Sequence, residues 1–262
     1  YDLFEQRLAD DWDGQFYPLQ STADHLGLTK KALSNYLYRE SIPVSLLGEF
    51  FETDEDLLAF VPDGATLGMK RDKTDINRHI PLNERTATLL GYYAAEGFAR
   101  EQETPKGTIH QTTICGTETE AREFFLDVLE AEFGVDPYIE NHAKVTVSGR
   151  LLRAFFDTVL DVRLHAHTKR VPQCIFDAPD AMVGAYLGGY FSGDGSVDAR
   201  SPQIEGTTVS DELKSDIVAL LSRLGITARV QTDDPRPLAE QFPEFYDEDD
   251  TSFSRPCHRI TV

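Results

Sequence analysis

The sequence predicts an α+β protein in which two copies of one αββαββα unit follow an α-helical N-terminal region. The first observation is a repeated motif, LLGYYAAEGFAR at 89–100 and YLGGYFSGDGSVDAR at 186–200. The second is that β-rich stretches and apolar residues at helical spacing follow each motif in the same order. The third is that both apolar, glycine-rich motifs end on a carboxylate, at Glu96 and Asp194. Ordered self-similarity of this kind indicates duplicated structural units.

The chain composition excludes several classes of protein. It has 262 residues, 40% of them hydrophobic, which supports a folded core. It holds no apolar run near the ~20 residues of a membrane span, so we expect no membrane association. Its three cysteines, without CxxC pairing, predict neither a zinc site nor a disulfide framework, and favour a reducing cytoplasm.

The net charge of −20 leaves two interpretations of the partner open. Repulsion between acids and phosphates disfavours a nucleic acid. Alternatively, acidic runs such as EFYDEDD at 244–250 are typical of a halophilic, archaeal protein surface. In molar salt the Debye length falls to ~3 Å, so distant acids barely repel DNA. Net charge therefore does not decide the partner.

The repeat extends beyond the motifs and defines the predicted domains. IHQTTI at 109–114 resembles IEGTTV at 204–209, and KVTV at 144–147 resembles RITV at 259–262. We expect a helix-turn-helix region over 1–50, a linker over 51–80, a first unit over 81–179 and a second unit over 180–262. The second unit stops on its last strand, so we expect the chain to be part of a longer protein.

Local signals predict the ends and the packing of the helices. Asn83 and Asp180 are predicted to cap the motif helices, and Gly134 and Gly225 to end the helices that follow. Small residues predict a face on each motif helix where two backbones approach closely. These residues are Gly91, Ala94 and Ala95 in the first motif, and Gly184, Gly188, Gly189, Ser192 and Gly193 in the second.

Packing of the two motif helices against each other is expected to bring Glu96 and Asp194 together. Paired carboxylates repel unless a cation lies between them, and oxygen ligands with open positions suit Mg²⁺. Carboxylate-bound metal ions support in-line attack of water on a phosphodiester. The alternative interpretation is that each acid merely caps its glycine turn.

LLGYYAAEG and LGGYFSGDG resemble the motif of the LAGLIDADG homing endonucleases, in the double-motif form found within inteins. The resemblance covers about 81–262 and implies two four-stranded antiparallel sheets that form a saddle over DNA. It implies two or three divalent ions, Mg²⁺ by expectation, at Glu96 and Asp194 with the carbonyls of Ala95 and Gly193. It also implies a basic catalytic residue from the segment HAHTKRVPQCIF at 165–176, matched here by Lys169, with Arg170 and His167 as the alternatives. The equivalent residue of the second unit lies beyond Val262.

Strand alternation predicts the DNA-binding faces. In HAKVTVSG at 142–149, ITARVQ at 226–231 and CHRITV at 257–262, one face is apolar and the other carries hydrogen-bond donors without acids. A solvated sheet face is the alternative. The predicted DNA-binding residues of these units are Arg100, Lys144, Thr146, Arg170, Arg200, Arg229, Gln231 and Arg259.

The stretch LQSTADHLGLTKKALSNYLYRESIP at 19–43 fits a helix-turn-helix, with Ala23 at the tight contact and Gly27 at the turn. An ordinary helical hairpin is the alternative. The second helix would present a basic island to a major groove. Its predicted DNA-binding residues are Lys30, Lys31, Ser34, Asn35 and Arg39.

Together with these patterns, the resemblance implies a monomeric, Mg²⁺-dependent, site-specific endonuclease that cleaves both strands of double-stranded DNA. Its target would be the intein-free site of a host gene, and the parent chain would carry an intein splicing domain in cis. A non-cleaving DNA-binding regulator of the same fold and an RNA maturase are the alternatives. The two retained acids favour the enzyme over the regulator.

Overall fold

The computed structural model describes residues 20, 23–24, 26–48, 51–70, 72–105, 107–197, 202–241, 244–245 and 254–262. The chain divides into two compact units, residues 1–63 and 64–262. The boundary between the units falls inside the predicted linker over 51–80, whose first part belongs to the smaller unit and whose second part belongs to the larger one. Among the residues described, no helix is long and apolar enough to cross a membrane.

The smaller unit contains three described helices, α1 (Lys30–Arg39), α2 (Val44–Gly48) and α3 (Asp54–Phe60). The Thr29 hydroxyl caps α1 by accepting a hydrogen bond of 3.2 Å from the backbone N–H of Ala32. Gly27 has φ +64°, which suits the predicted turn before α1. Most of the predicted first helix of the helix-turn-helix lies outside the described residues, so the helix-turn-helix stays a prediction.

The larger unit begins with a hairpin and continues with the first repeat. The elements, in chain order, are β1 (Thr66–Leu67), β2 (Ile76–Asn77), α4 (Glu84–Glu96), β3 (Gly97–Thr104), β4 (Gly107–Cys115), α5 (Thr119–Val128), β5 (Tyr138–Glu140), β6 (Lys144–Ser148) and α6 (Arg150–Ala154). A π-helical turn extends α5 over Leu129–Phe133, and another extends α6 over Phe155–Val159. This order confirms the predicted αββαββα unit.

The second repeat follows a short helix, α7 (Gln173–Phe176). Its elements are α8 (Asp180–Asp194), β7 (Ser196–Val197), β8 (Ile204–Thr208), α9 (Asp211–Arg223), β9 (Arg229–Asp233), α10 (Leu238–Gln241) and β10 (Cys257–Thr261). Helix α10 lies between the last two strands, β9 and β10. Helices α4 and α8 carry the two repeated sequence motifs and are called the first and second motif helices below.

The two repeats build four-stranded sheets of the same topology. The strand orders are β3-β4-β6-β5 and β7-β8-β10-β9, and all neighbouring strands are antiparallel. In both sheets, the fourth strand of the repeat therefore lies between the second strand and the third. The α+β class with two antiparallel sheets is confirmed.

The two motif helices touch backbone to backbone at two glycines. A Cβ atom on Gly91 would collide with the carbonyl oxygen of Tyr186, and one on Gly189 with that of Thr88. Because only glycine lacks this atom, these two positions set the distance between the helices. The predicted small-residue face is too wide, since open space surrounds a Cβ added at Gly184 or Gly188.

The helix ends follow three of the four predictions. The Asn83 side chain accepts a 2.9 Å hydrogen bond from the backbone N–H of Thr86 and caps the first motif helix. Gly134 and Gly225 take left-handed φ values of +70° and +75° after their helices. The prediction for Asp180 is wrong: Pro179 is the capping residue, and Asp180 instead accepts a 2.9 Å hydrogen bond from Arg223.

The hairpin β1–β2 fastens onto the first repeat. The Asp72 carboxylate accepts hydrogen bonds from the backbone N–H groups of Arg150 and Leu151, at 2.7 and 3.3 Å. These are two of the unpaired N–H groups at the start of α6, where the capping residue Gly149 has no side chain to offer. Asn77 donates a 3.1 Å hydrogen bond to the carbonyl of Glu132.

Candidate active site

Both motif helices end on a carboxylate whose side chain is half-buried. Glu96 is the last residue of α4, and Asp194 is the last residue of α8. Burial raises the pKa of Asp194 from 3.8 to about 6; the negative charge of Glu96 adds to the rise and the Lys169 ammonium opposes it. The two carboxylates therefore lie close enough to repel each other, as the predicted packing of the motif helices requires.

The Lys169 side chain reaches the same helix end and is 5% exposed. Its Nζ donates to the carbonyl oxygens of Tyr93, Ala94 and Ala95, at 3.0, 2.9 and 3.4 Å. It also lies 5.5 Å from the centre of the Tyr93 ring. The last carbonyls of a helix lack intrahelical partners and carry its negative partial charge, so they suit a cation. Lys169 thus caps the first motif helix.

Two opposing effects act on the Lys169 ammonium. Burial lowers its pKa from 10.5 to about 8, and the charges of Asp194 and Glu96 resist that fall. At pH 7 the group therefore remains largely cationic. The structure brings together all three residues predicted to be catalytic, which are far apart in the sequence.

The oxygens at this site suit a hard divalent cation. In the described part of the chain, no group of three or more His, Cys, Asp or Glu side chains could enclose a metal ion. Mg²⁺ does not need such a cage, because it keeps several waters and binds through one or two carboxylates and substrate phosphates. When both carboxylates are ionised, the single positive charge of Lys169 compensates only one of the two negative charges. Two carboxylates with an uncompensated charge fit such an ion.

The two predicted carbonyl ligands differ in their surroundings. The Ala95 carbonyl accepts the longest of the three Lys169 hydrogen bonds, at 3.4 Å, and a carbonyl oxygen has a second lone pair. Gly193 packs on the first motif helix, since a Cβ there would collide with the Ala95 side chain. Both residues lie where the motif helices meet, beside the carboxylates.

Cys115 is a site residue that the sequence did not reveal. It ends strand β4, and burial raises its pKa, with a contribution from Glu96 that Lys144 and Lys169 oppose. The thiol therefore lies within electrostatic range of the carboxylates and of Lys169. Strand β3 begins directly after the first motif helix and pairs with β4, the strand that Cys115 ends. This pairing is the signal that could have identified Cys115.

The polar face of the first sheet is held by internal pairs. Arg100 donates from Nε to Gln111 at 2.6 Å and forms an ion pair of 3.1 Å with Glu140. Lys144 lies 5.5 Å from the ring centre of Phe98. The predicted stretch 142–149 carries no acid itself, but Glu140 of the neighbouring strand β5 lies on the same side as Arg100 and binds it.

Thr146 is predicted to bind DNA from the polar face of its strand, but the structure buries it. Its side chain is fully buried and forms a 3.0 Å hydrogen bond with the hydroxyl of Thr113. It lies in the sheet interior beneath Glu140, whose carboxylate is 3.4 Å from the Thr146 hydroxyl. In this arrangement its hydroxyl group is not accessible to a partner.

The polar face of the second sheet also contains acids. Arg259 lies between Glu205 and Asp233, at 3.8 and 3.4 Å. Arg229 and Gln231 border the same shallow depression, to which Glu205 and Arg259 also contribute. Three of the predicted residues thus share one surface, but carboxylates interrupt its positive charge.

The remaining predicted DNA-binding residues are Arg170, Arg200 and five residues of α1. Arg170 follows Lys169 and forms an ion pair of 3.4 Å with Asp161. Arg200 lies outside the described residues. On α1, five predicted side chains are exposed, as a contact with a partner requires: Lys30, Lys31, Ser34, Asn35 and Arg39.

Two curated proteins resemble this chain along most of its sequence. The DNA polymerase II large subunit of Haloquadratum walsbyi is 39% identical over 240 residues, which are 88% of this chain and 10% of that protein. The DNA polymerase II large subunit of Thermococcus kodakarensis is 38% identical over 194 residues, which are 73% of this chain and 10% of that protein. The chain thus spans about a tenth of the length of these relatives.

Solved structures and a family model also match. The I-DmoI structure in complex with DNA and Mn has a TM-score of 0.46 at 12% identity, covering 70% of this chain and 90% of that one. Full-length DUF199/WhiA from Thermatoga maritima has a TM-score of 0.38 at 13% identity, covering 70% and 51%. Residues 181–242, which include Asp194, match the family model described as a LAGLIDADG-like domain. Over that stretch, the chain is therefore similar to a LAGLIDADG-like domain.

Proposed function

We propose that this chain is the site-specific endonuclease part of an intein, and that it hydrolyses phosphodiester bonds in both strands of DNA with Mg²⁺. The observation that carries the proposal is the meeting of Glu96, Asp194 and Lys169 at the ends of two packed helices. Paired carboxylates beside a buried ammonium are chemically suited to a reaction in which negative charge develops on phosphate oxygens.

Each residue has a distinct role in the proposed reaction. Glu96 and Asp194 would hold two or three divalent ions, with the Ala95 and Gly193 carbonyls as further ligands. When bound, the ions lower the pKa of water and neutralise charge on the phosphate. Lys169, cationic at neutral pH, would stabilise the negative charge at the same place or exchange a proton with the attacking water.

The sheets and the N-terminal helix α1 would bind the DNA. Arg100, Lys144, Arg229, Gln231 and Arg259 lie on the polar sheet faces, where they can contact phosphates and base edges. The exposed side chains of α1 would add a further contact. We propose that the protein acts as a monomer in the cytoplasm of a halophilic archaeon, where high salt screens its acidic surface.

The lengths of the relatives support the intein context. The matched stretches are 10% of two DNA polymerase II large subunits, as expected for an insertion within a much longer host protein. We therefore propose the gene for that polymerase subunit as host, and its intein-free junction as the target. The splicing domain would lie in the same parent chain.

The test is cleavage of a plasmid that carries the intein-free polymerase junction, with Mg²⁺ and in high salt. Glu96→Gln and Asp194→Asn should each lower cleavage by at least ~10²-fold, because each removes a charge that acts in the transition state. Glu123→Gln is the matched control, because Glu123 is an exposed carboxylate of α5, and it should cut normally. Wild-type cleavage by either motif variant would refute the mechanism.

The same experiment separates the two alternatives. Wild-type protein that binds the junction duplex but never cuts it, at any Mg²⁺ or Mn²⁺ concentration, would indicate a non-cleaving regulator. Preferential binding of the transcribed RNA over the duplex would indicate a maturase.

A further inference from the structure

Lys169 lies on a loop that folds back on itself. The backbone N–H groups of Thr168 and Lys169 both donate to the carbonyl of His165, at 2.9 and 3.1 Å. The N–H of Arg170 donates to the carbonyl of Val162 at 3.2 Å. These bonds shape the loop but do not fix its position relative to Asp194, which belongs to the other repeat.

Ser210, which caps α9, and Asp216, which lies within that helix, supply that connection. The Ser210 hydroxyl donates a 2.6 Å hydrogen bond to the backbone carbonyl of Lys169 itself. The Asp216 carboxylate accepts a 3.0 Å hydrogen bond from the backbone N–H of Val171. Ser210 and Val171 are fully buried, so water does not reach the Ser210 hydroxyl or the Val171 N–H, whereas the Asp216 carboxylate is partly exposed. The loop is thus held on both sides of Arg170.

Helix α9 gives these side chains a fixed position. Ser210 is also its capping residue and accepts a 3.2 Å hydrogen bond from the N–H of Leu213, so its hydroxyl uses both its donor and an acceptor site. The helix buries Leu213 and Ile217 in the core cluster that also contains Tyr186 and Tyr190 of the second motif helix. One packed body therefore carries Asp194 and the anchors of the Lys169 loop.

We propose that Ser210 and Asp216 are positioning residues, by which the second repeat places the lysine of the first repeat beside both carboxylates. The inference rests on the proposed endonuclease function for its catalytic meaning. The Lys169 ammonium meets three carbonyl oxygens from the present position of the loop, so a displaced loop backbone changes where the ammonium lies relative to them. A displacement of ~1 Å at a catalytic group can cost about 10²-fold in rate.

The test compares variants that remove a bond with variants that keep it. Asp216→Ala removes the acceptor, whereas Asp216→Asn loses the charge but keeps an oxygen for the N–H of Val171. Ser210→Ala removes the hydroxyl, whereas Ser210→Thr keeps it. Ser215→Ala is the control: Ser215 is exposed on α9 and bonds only the carbonyl of Asp211 among the contacts described, at 2.8 Å.

The first readout is the single-turnover cleavage rate together with the affinity for the junction duplex. The two alanine variants at Ser210 and Asp216 should cut about 10- to 100-fold more slowly, with affinity within about twofold of the wild type. The Asn and Thr variants should recover most of the rate. Equal loss of rate and affinity, or no rescue, would overturn positioning and indicate general loss of structure.

The second readout does not depend on cleavage. Trypsin cuts after Lys169 or Arg170 only when the loop opens, so native-state nicking there measures how firmly it is held. Nicking should accelerate about fivefold or more in the alanine variants and not in Ser215→Ala. If trypsin nicks both alanine variants at the wild-type rate, the proposal is overturned. Faster nicking with an unchanged rate of DNA cleavage would also overturn it. If the wild-type protein cuts no DNA, the proposed function fails. The nicking rates alone then decide whether Ser210 and Asp216 hold the Lys169 loop in place.

Discussion

The ammonium of Lys169 lies 2.9 Å from the carbonyl oxygen of Ala94, across 75 residues of sequence. This contact links the end of the first motif helix to a loop that the second repeat anchors. It also places a positive charge on the backbone of Ala94, which comes two residues before Glu96 in the same helix. The acid that ends this helix is therefore not an isolated unfavourable charge, because a buried cation accompanies it.

A methyl group added at Gly91 or Gly189 should disrupt the contact between the motif helices and lower the stability of the protein. Gly189→Ala would push a Cβ into the Thr88 carbonyl, which lies on a helix backbone and cannot yield by a rotamer change. We expect a loss of about 1–3 kcal/mol in unfolding free energy, typical of overpacking. Denaturant unfolding measures it.

Gly188→Ala is the matched control for that substitution. It lies one residue earlier on the same helix, where an added Cβ meets open space. Alanine is the better helix former by about 1 kcal/mol, so this variant should be neutral or more stable. Equal destabilisation by both substitutions would contradict the role assigned to the Gly189 contact.

Asp194 should lower the stability of the metal-free protein at neutral pH. Its pKa rises from 3.8 to about 6 on folding, so the folded state binds the proton more tightly. The free energy of unfolding should therefore fall as pH rises from about 4 to about 6, and stay lower above that range. Asp194→Asn removes this cost, and we expect it to be more stable at pH 7 by ~1–2 kcal/mol.

The measurement is urea unfolding of both proteins in EDTA, from pH 4 to pH 8. The advantage of the variant should shrink towards pH 4, where the Asp194 carboxyl of the folded protein is protonated and as neutral as the amide. Added Mg²⁺ should reduce the advantage at pH 7 by stabilising only the wild type. An Asp194→Asn protein no more stable than the wild type at pH 7 in EDTA would show that this carboxylate is not destabilised by its surroundings.

Sequence patterns predicted the repeat, the motif helices and both carboxylates because these depend on local residue order. They did not predict strand register. IHQTTI and IEGTTV align Gln111 with Gly206, yet Gln111 lies in the polar network and Gly206 packs on the Phe191 ring. Side chains alternate along a strand, so a shift of one residue exchanges the faces. The pairing of Arg100 with Glu140 likewise depends on tertiary structure, since 40 residues separate them.

The start of α6 should depend on the distant carboxylate of Asp72. Asp72→Ala leaves the N–H groups of Arg150 and Leu151 without this acceptor, and we expect a cost of about 0.5–2 kcal/mol, as for other lost caps. Asp72→Asn keeps an acceptor oxygen and should cost less. Thermal unfolding of both variants checks the order; an Asn variant as unstable as the Ala variant would indicate a purely electrostatic role.

Glu140 should restrain Arg100 from binding DNA of any sequence. The guanidinium forms a 3.1 Å ion pair with this carboxylate, so a phosphate must displace it before Arg100 can bind the backbone. Glu140→Gln would free the arginine, and on the proposed function we expect tighter binding to random duplex DNA with a salt slope steeper by about one unit.

Glu103→Gln makes the same change in net charge on β3, where Glu103 accepts only a 2.8 Å hydrogen bond from Thr108 among the contacts described. Fluorescence anisotropy with one random duplex at several salt concentrations compares the two variants. Because the charge change is identical, a larger gain for Glu140→Gln measures the release of Arg100, and equal gains would mean that only net charge matters.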